Sequence, residues 1–271
     1  MSTFTSAADR ASLHPYFEKL YDTYNRKEFI HPDPLEFVHR YDDPADLEVA
    51  GLVASGLAYG RVVQILKSLE KVFDVLKRPS EDIKVMNRKE LIEIFKSFRH
   101  RWTTGEELAL LLKGIAILRE EYGSLENCFF EGVKSDDEDV VPALRSFVAK
   151  LRLASGRREL SLLACPSMGS ACKRMFLFLR WMVRRDEVDP GPWTQISASQ
   201  LVVPMDVHMH RVSCQLGLTS RRQADLKSAL QVTGFFRKLV PEDPVKYDFS
   251  LTRPGILLKQ ETLKYSDQFR A

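Results

Sequence analysis

The sequence has little of what would place it in several large classes. Among its 271 residues no run of about 18 apolar residues occurs, so a membrane-spanning helix is not expected. The opening stretch is polar and lacks the apolar core of a signal peptide, which makes the cytoplasm the expected compartment, nucleoid-associated if the source is bacterial. Its four cysteines, Cys128, Cys165, Cys172 and Cys214, contain no C-x-x-C pair. That spacing excludes a zinc ribbon, a redox dithiol and the tight cluster of an iron–sulfur site, and leaves reduced thiols acting as small hydrophobes. Thirteen Gly and thirteen Pro are too few for a collagenous or low-complexity chain. Alternating strand patterning is confined to Leu201–Val203, and no internal repeat is visible.

What is present is helical texture. Apolar residues recur at helical spacing in His14–Lys27, Leu35–Tyr41, Leu47–Leu57, Val62–Leu76, Arg88–Phe98, Thr104–Tyr122, Val140–Leu153, Cys172–Arg185 and Arg222–Leu239. Asp33-Pro34 and Asp43-Pro44 each read as an N-cap followed by proline in the first turn. The Leu47–Leu57 segment is apolar all round and should be central. Pro79-Ser80 reads as a helix stop, Lys134–Asp139 as an exposed acidic loop, and Pro241–Pro244 as the start of a shorter helix. The fold expected is all-α, with 1–271 as a single domain.

The net charge is only +3, but it is unevenly placed. Residues 1–144 hold 19 basic and 26 acidic side chains, a net of −7, whereas residues 145–185 hold ten basic and one acidic, a net of +9. Such asymmetry suits a polyanion-binding surface, and equally suits a solvated basic face.

Three segments can carry chemistry. In Pro166–Arg185 a turn feeds a helix whose N-terminus offers free N–H groups for a phosphate. Ser170 can cap that helix. Lys173 falls in its first turn, where a cation opposes the helix dipole; that conflict slightly strengthens a functional role, while a plain surface lysine is still the commoner reading. Arg180 and Arg184 follow at whole-turn spacing. In Asp206–Leu218 an aspartate opens an amphipathic helix. It reads as an ordinary N-cap or as a carboxylate held charged to steady a cation. His208 and His210 point about 200° apart on a helix, so no metal site is expected there. In Tyr59-Gly60-Arg61 with Gln64, stacking, phosphate and base-edge donors surround a glycine break, which is also an ordinary helix corner.

The block Val203-Pro204-Met205-Asp206-Val207-His208-Met209-His210-Arg211-Val212, with Leu216-Gly217-Leu218, resembles the V-D-T-H-V-x-R-V … R-L-G-L block of helix-hairpin-helix (HhH-GPD) DNA glycosylases. Lys173 and Asp206 lie 33 residues apart, a spacing similar to that of the archaeal 8-oxoguanine DNA glycosylase branch. The chain also resembles a bacterial family of unknown function over nearly its full length, through Leu57–Ile65, Gly169–Arg184, Glu187–Trp193 and Asp243–Ile256. It departs from the glycosylase pattern in having one hairpin glycine, Gly169, and Val207 in place of threonine.

The resemblance implies a two-lobed helical fold with a cleft between the lobes, and a bifunctional glycosylase and AP lyase acting on double-stranded DNA with a damaged base, 8-oxoguanine first. It implies Lys173 as the amine nucleophile and Asp206 as the catalytic carboxylate, with no cofactor and no metal. Tyr59, Arg61, Gln64, Gly169, Ser170, Arg174, Arg180, Arg184, His208 and Arg211 would contact DNA. Trp181 or Trp193 would stack on the flipped base. A monomer with no membrane partner is expected. The alternatives are a nucleic-acid-binding module of the same fold without catalysis, and a helical interaction protein with no polyanion ligand.

Overall fold

The computed structural model describes residues 7–166 and 170–256. Twelve α-helices account for most of them: α1 (Ala7–Tyr24), α2 (Leu35–Val38), α3 (Pro44–Gly56), α4 (Val62–Val75), α5 (Pro79–Val85), α6 (Arg88–Ile94), α7 (Gly105–Tyr122), α8 (Leu125–Phe130), α9 (Val141–Ser155), α10 (Lys173–Val183), α11 (Val207–Gln215) and α12 (Leu226–Leu239). Residues 248–256 are also helical. The only sheet among the described residues is a two-stranded antiparallel hairpin, β1 (Arg99–His100) with β2 (Thr103–Thr104). The protein is all-α. No described helix is long and apolar enough to cross a membrane.

Helix α3 is central because it has no polar face: Leu47 through Gly56 are all buried. Asp43 caps it, accepting from the Ala45 N–H at 2.7 Å, with Pro44 in the first turn. It packs on α2, α5 and α10. A Cβ at Gly51 would stand 2.7 Å from Met182 Cε, so a side chain there would have to displace the Met182 tip where α10 seats on α3. Helix α7, buried along most of its length, is the second hub and contacts α5, α6, α8 and α9. An aromatic cluster of Phe17, Phe236 and Tyr247, with centroids 5.3–5.6 Å apart, ties α1 to α12 and to the segment ahead of residue 248.

Several local expectations differ from the structure. Pro79 does not end a helix but opens α5, where its missing N–H costs nothing. The segment expected as one helix over Arg88–Phe98 stops at Ile94, because the chain turns to bury Phe95 and Phe98 before entering the hairpin. Leu201–Val203 is buried but unpaired, and its alternation reflects packing rather than a sheet. Helix α10 begins at Lys173 and ends at Val183, since Arg184 is already extended. Ser170 is not its N-cap: Cys172 is, at φ 48°, while the Ser170 hydroxyl accepts from the Cys172 N–H at 3.2 Å.

Candidate active site

The left-handed conformation of Cys172, unusual for a residue with a side chain, turns the chain abruptly into α10 and makes Lys173 its first residue. The neighbouring element is α11, which starts after the extended run Leu201–Met205. Asp206 is its N-cap. Oδ1 of Asp206 accepts from the Met209 N–H at 2.7 Å, and Oδ2 lies 3.0 Å from Lys173 Nζ. Two helix N-termini thus meet through one carboxylate and one ammonium, each about one-third exposed. Burial alone would raise the Asp206 pKa, but Lys173 and the Met209 N–H outweigh it and hold the carboxyl below its usual range.

The pair opens into a cleft of about 1280 Å³. Tyr59, Gly60, Arg61 and Gln64 form one wall, at the entrance to α4, and Leu177, Pro204 and Met209 continue it. Pro32, Asp33 and Pro34 come from the start of α2, and Asp248, Phe249 and Thr252 from residues 248–256. Gly60 has φ 99°, a conformation that favours glycine, and it throws Arg61 outward. Arg61 and Gln64 are exposed beside Val63, which is 61% exposed. Tyr59 is anchored. Its hydroxyl donates to the His100 carbonyl at 2.8 Å and lies 2.6 Å from Thr103 Oγ1, while its ring stacks on Trp102 at 4.8 Å. His100 Nε2 donates back to the Tyr59 carbonyl at 2.9 Å, and burial pushes the His100 pKa down. The β1–β2 hairpin therefore fixes the rim.

His208 lines the cleft. Its Nε2 donates to the Thr252 carbonyl at 3.2 Å and its Nδ1 accepts from Arg211 at 2.8 Å, which defines the neutral tautomer with hydrogen on Nε2. Arg211 is exposed. His210 faces the Arg221 carbonyl at 3.0 Å, so the two histidines go to different partners. No group of three or more His, Cys, Asp or Glu side chains among the described residues is arranged to hold a metal.

Six residues expected at a DNA surface or base pocket are engaged with other partners or lie outside the cleft. Arg174 donates to the Gly56 carbonyl at 2.7 Å and lies over the Tyr59 ring at 4.9 Å, braced inside the protein. Arg180 and Arg184 are 3% and 4% exposed. Arg180 bonds Asp189 and Asp248; Arg184 bonds Asp186, Asp189 and Asp243. A guanidinium surrounded by carboxylates has no capacity left for phosphate, although Arg180 reaches the floor of the cleft. Trp181 is fully buried. Trp193 is packed against Phe129 and Phe178, and its Nε1 donates to buried Glu48 at 2.9 Å. Neither tryptophan lines the cleft. Ser170 is exposed, bridged to Asp225, and outside the cleft. Gly169 lies outside the described residues.

Sequence reasoning missed Asp33, Asp248, Phe249 and Thr252, which close the far wall of the cleft, and Trp102, which supports Tyr59. One signal was available: residues 186–218 and 241–248 cluster aspartates among prolines just where the basic 145–185 stretch needs partners.

Fold and site together define an all-α protein that carries a lysine–aspartate pair between two helix N-termini in an open cleft. A family model described as a protein of unknown function, DUF2400, matches residues 33–257, and the chain belongs to that family. No curated protein and no solved structure matches it.

Proposed function

We propose that the protein is a DNA repair glycosylase with AP-lyase activity, built on a two-lobed HhH-GPD-like fold, which excises an oxidised base through a lysine Schiff base. The observation that carries this reading is the 3.0 Å contact between Lys173 Nζ and Asp206 Oδ2 at the mouth of a cleft large enough for a nucleotide. Residues 33 positions apart in sequence converge on one point, as attack on a single sugar carbon requires.

The chemistry follows from the two groups. A stacked base shields its sugar C1′, so the nucleotide must first leave the helix and enter the cleft. Asp206, ionised at neutral pH, stabilises positive charge at C1′ as the glycosidic bond lengthens. Lys173 gives up a proton to solvent, and its amine forms a bond to C1′, leading to the Schiff base and β-elimination. Arg61 and Gln64, exposed on the rim, face the strands, and Arg211 extends the cationic edge beside His208. The preferred lesion is 8-oxoguanine, by the resemblance of the Lys173–Asp206 spacing.

Borohydride trapping on duplexes carrying single lesions tests the reading. The expected result is a covalent protein–DNA adduct that disappears in Lys173→Gln. Binding without adduct or strand cleavage across the lesion panel would leave a non-catalytic nucleic-acid-binding protein of this fold.

A further inference from the structure

Of the three carboxyl groups that line the cleft, Asp33, Asp206 and Asp248, the last two stand in opposite circumstances. Asp206 is a helix cap with a lysine on its free oxygen. Asp248, which opens the helical stretch 248–256, lines the same cleft yet is only 6% exposed. Its Oδ2 bonds Arg180 Nη1.

Arg180 does not belong to Asp248 alone. Its Nε donates to Asp189 at 3.2 Å, and Asp189 also binds Arg184. From the other side Arg253 is taken by Asp33 at 3.1 Å. The charges around Asp248 are therefore the cations Arg180 and Arg253, both shared, and the carboxylates Asp189, Asp206 and, on the far side of Arg253, Asp33. Burial, helped by Asp206 and Asp189 and opposed by Arg180, pushes the Asp248 carboxyl up to about 6. A pair of carboxyl groups whose surroundings drive their proton affinities apart is the arrangement of an acid and an electrostatic partner.

We infer that Asp248 is the general acid of the excision step, handing the proton of its carboxyl to a ring nitrogen of the extruded base. This assignment rests on the glycosylase reading. As the C1′–N bond breaks, its electron pair goes to the base, which takes the Asp248 proton and departs neutral. Asp206 faces the positive C1′, and the Lys173 amine, its proton released to solvent, forms the new C–N bond. Asp248 then takes a proton back from solvent. The substrate class that needs such help is a neutral base with a basic ring nitrogen, since a base already carrying positive charge leaves without an acid.

Two duplexes of one sequence separate this step from the rest: one with 8-oxoguanine or hypoxanthine, one with a preformed abasic site, which still needs Lys173 but has no base to expel. In Asp248→Asn, single-turnover base excision should fall by about 100-fold or more, the range for loss of a general acid, while borohydride trapping on the abasic duplex stays within about threefold of the unaltered protein. In the unaltered protein, excision should fall about tenfold per pH unit above the Asp248 pKa with no matching fall in abasic-site trapping. That profile decides the matter if the variant does not fold. Excision by the variant at the original rate, equal loss on both duplexes in a folded variant, or a pH limb common to both duplexes would overturn the assignment. Failure of the unaltered protein to trap the abasic duplex would instead remove the glycosylase reading and this assignment with it.

Discussion

The two ends of the basic segment 173–184 look alike in sequence and are physical opposites. At its start Lys173 stands about one-third exposed, in 3.0 Å contact with the Asp206 carboxylate where the pair opens into the cleft. Two turns on, Arg180 and Arg184 are enclosed by Asp186, Asp189, Asp243 and Asp248. The exposed pair is solvated and free to exchange its partner for a substrate. The enclosed one holds α10 to the Asp186–Asp189 turn and to the start of the 248–256 helix. A run of cations in a sequence is thus no measure of a polyanion surface until its counter-ions are located.

The comparison breaks most decisively at Arg184. Arg184→Met takes one of the two guanidinium partners from fully buried Asp189 and the arginine partner from Asp186 and Asp243. About 3–5 kcal/mol of stability should be lost, read from urea unfolding. A loss under 1 kcal/mol would mean the cluster is far more hydrated than its burial implies. Next in size is Trp193→Phe, which keeps the ring packing but removes one of the four donors to buried Glu48. About 1–3 kcal/mol should go, with no change in DNA affinity, whereas a base-stacking residue would show the reverse.

At the exposed end, Lys173→Gln should cost at most about 1 kcal/mol, because the pair is screened by solvent. Its signature is in the acid limb. Asp206 has a folded-state pKa below its unfolded one, so its contribution is present above the usual carboxylate range and lost as pH falls through the folded value. In Lys173→Gln that part of the acid destabilisation should be smaller. An unchanged acid limb would show that the Met209 cap, not Lys173, sets the Asp206 pKa. The smallest effect on stability belongs to Arg61→Ala, within about 0.5 kcal/mol at an exposed site. Under the proposed function it should still lower the salt-dependence slope of duplex binding by about 1. An unchanged slope would take Arg61 off the DNA.

The helices were largely legible because burial on one face leaves a period in the sequence, as in α4, where Ile65, Leu69, Val72 and Phe73 are buried. Asp43-Pro44 marked the start of α3 for a similarly local reason. Short α8 and the β1–β2 hairpin were not legible, since each offers too few residues for a period. At the site, Lys173 and Asp206 could be singled out from their own surroundings. The burial of Arg180 and Arg184 was only half legible: Asp186 and Asp189 lie close by in the chain, but the enclosure is completed by Asp248 and Asp243, 68 and 59 residues away, and the Glu48 partner of Trp193 is 145 residues away. Asp248 could be suspected as a counter-ion from the acidic 241–248 stretch, but nothing near it in the chain announces that it reaches the cleft.

The placement of the three tryptophans has a practical consequence. Trp181 and Trp193 are sealed in the interior, whereas Trp102 is 57% exposed, lies flat on the Tyr59 ring and has Arg101 above it. Emission from the two interior indoles is shielded from solutes in the medium, so quenching by iodide reports on a single indole at the rim. Any molecule that settles over Tyr59 changes that quenching, and the chain needs no attached dye for its occupancy to be followed by light.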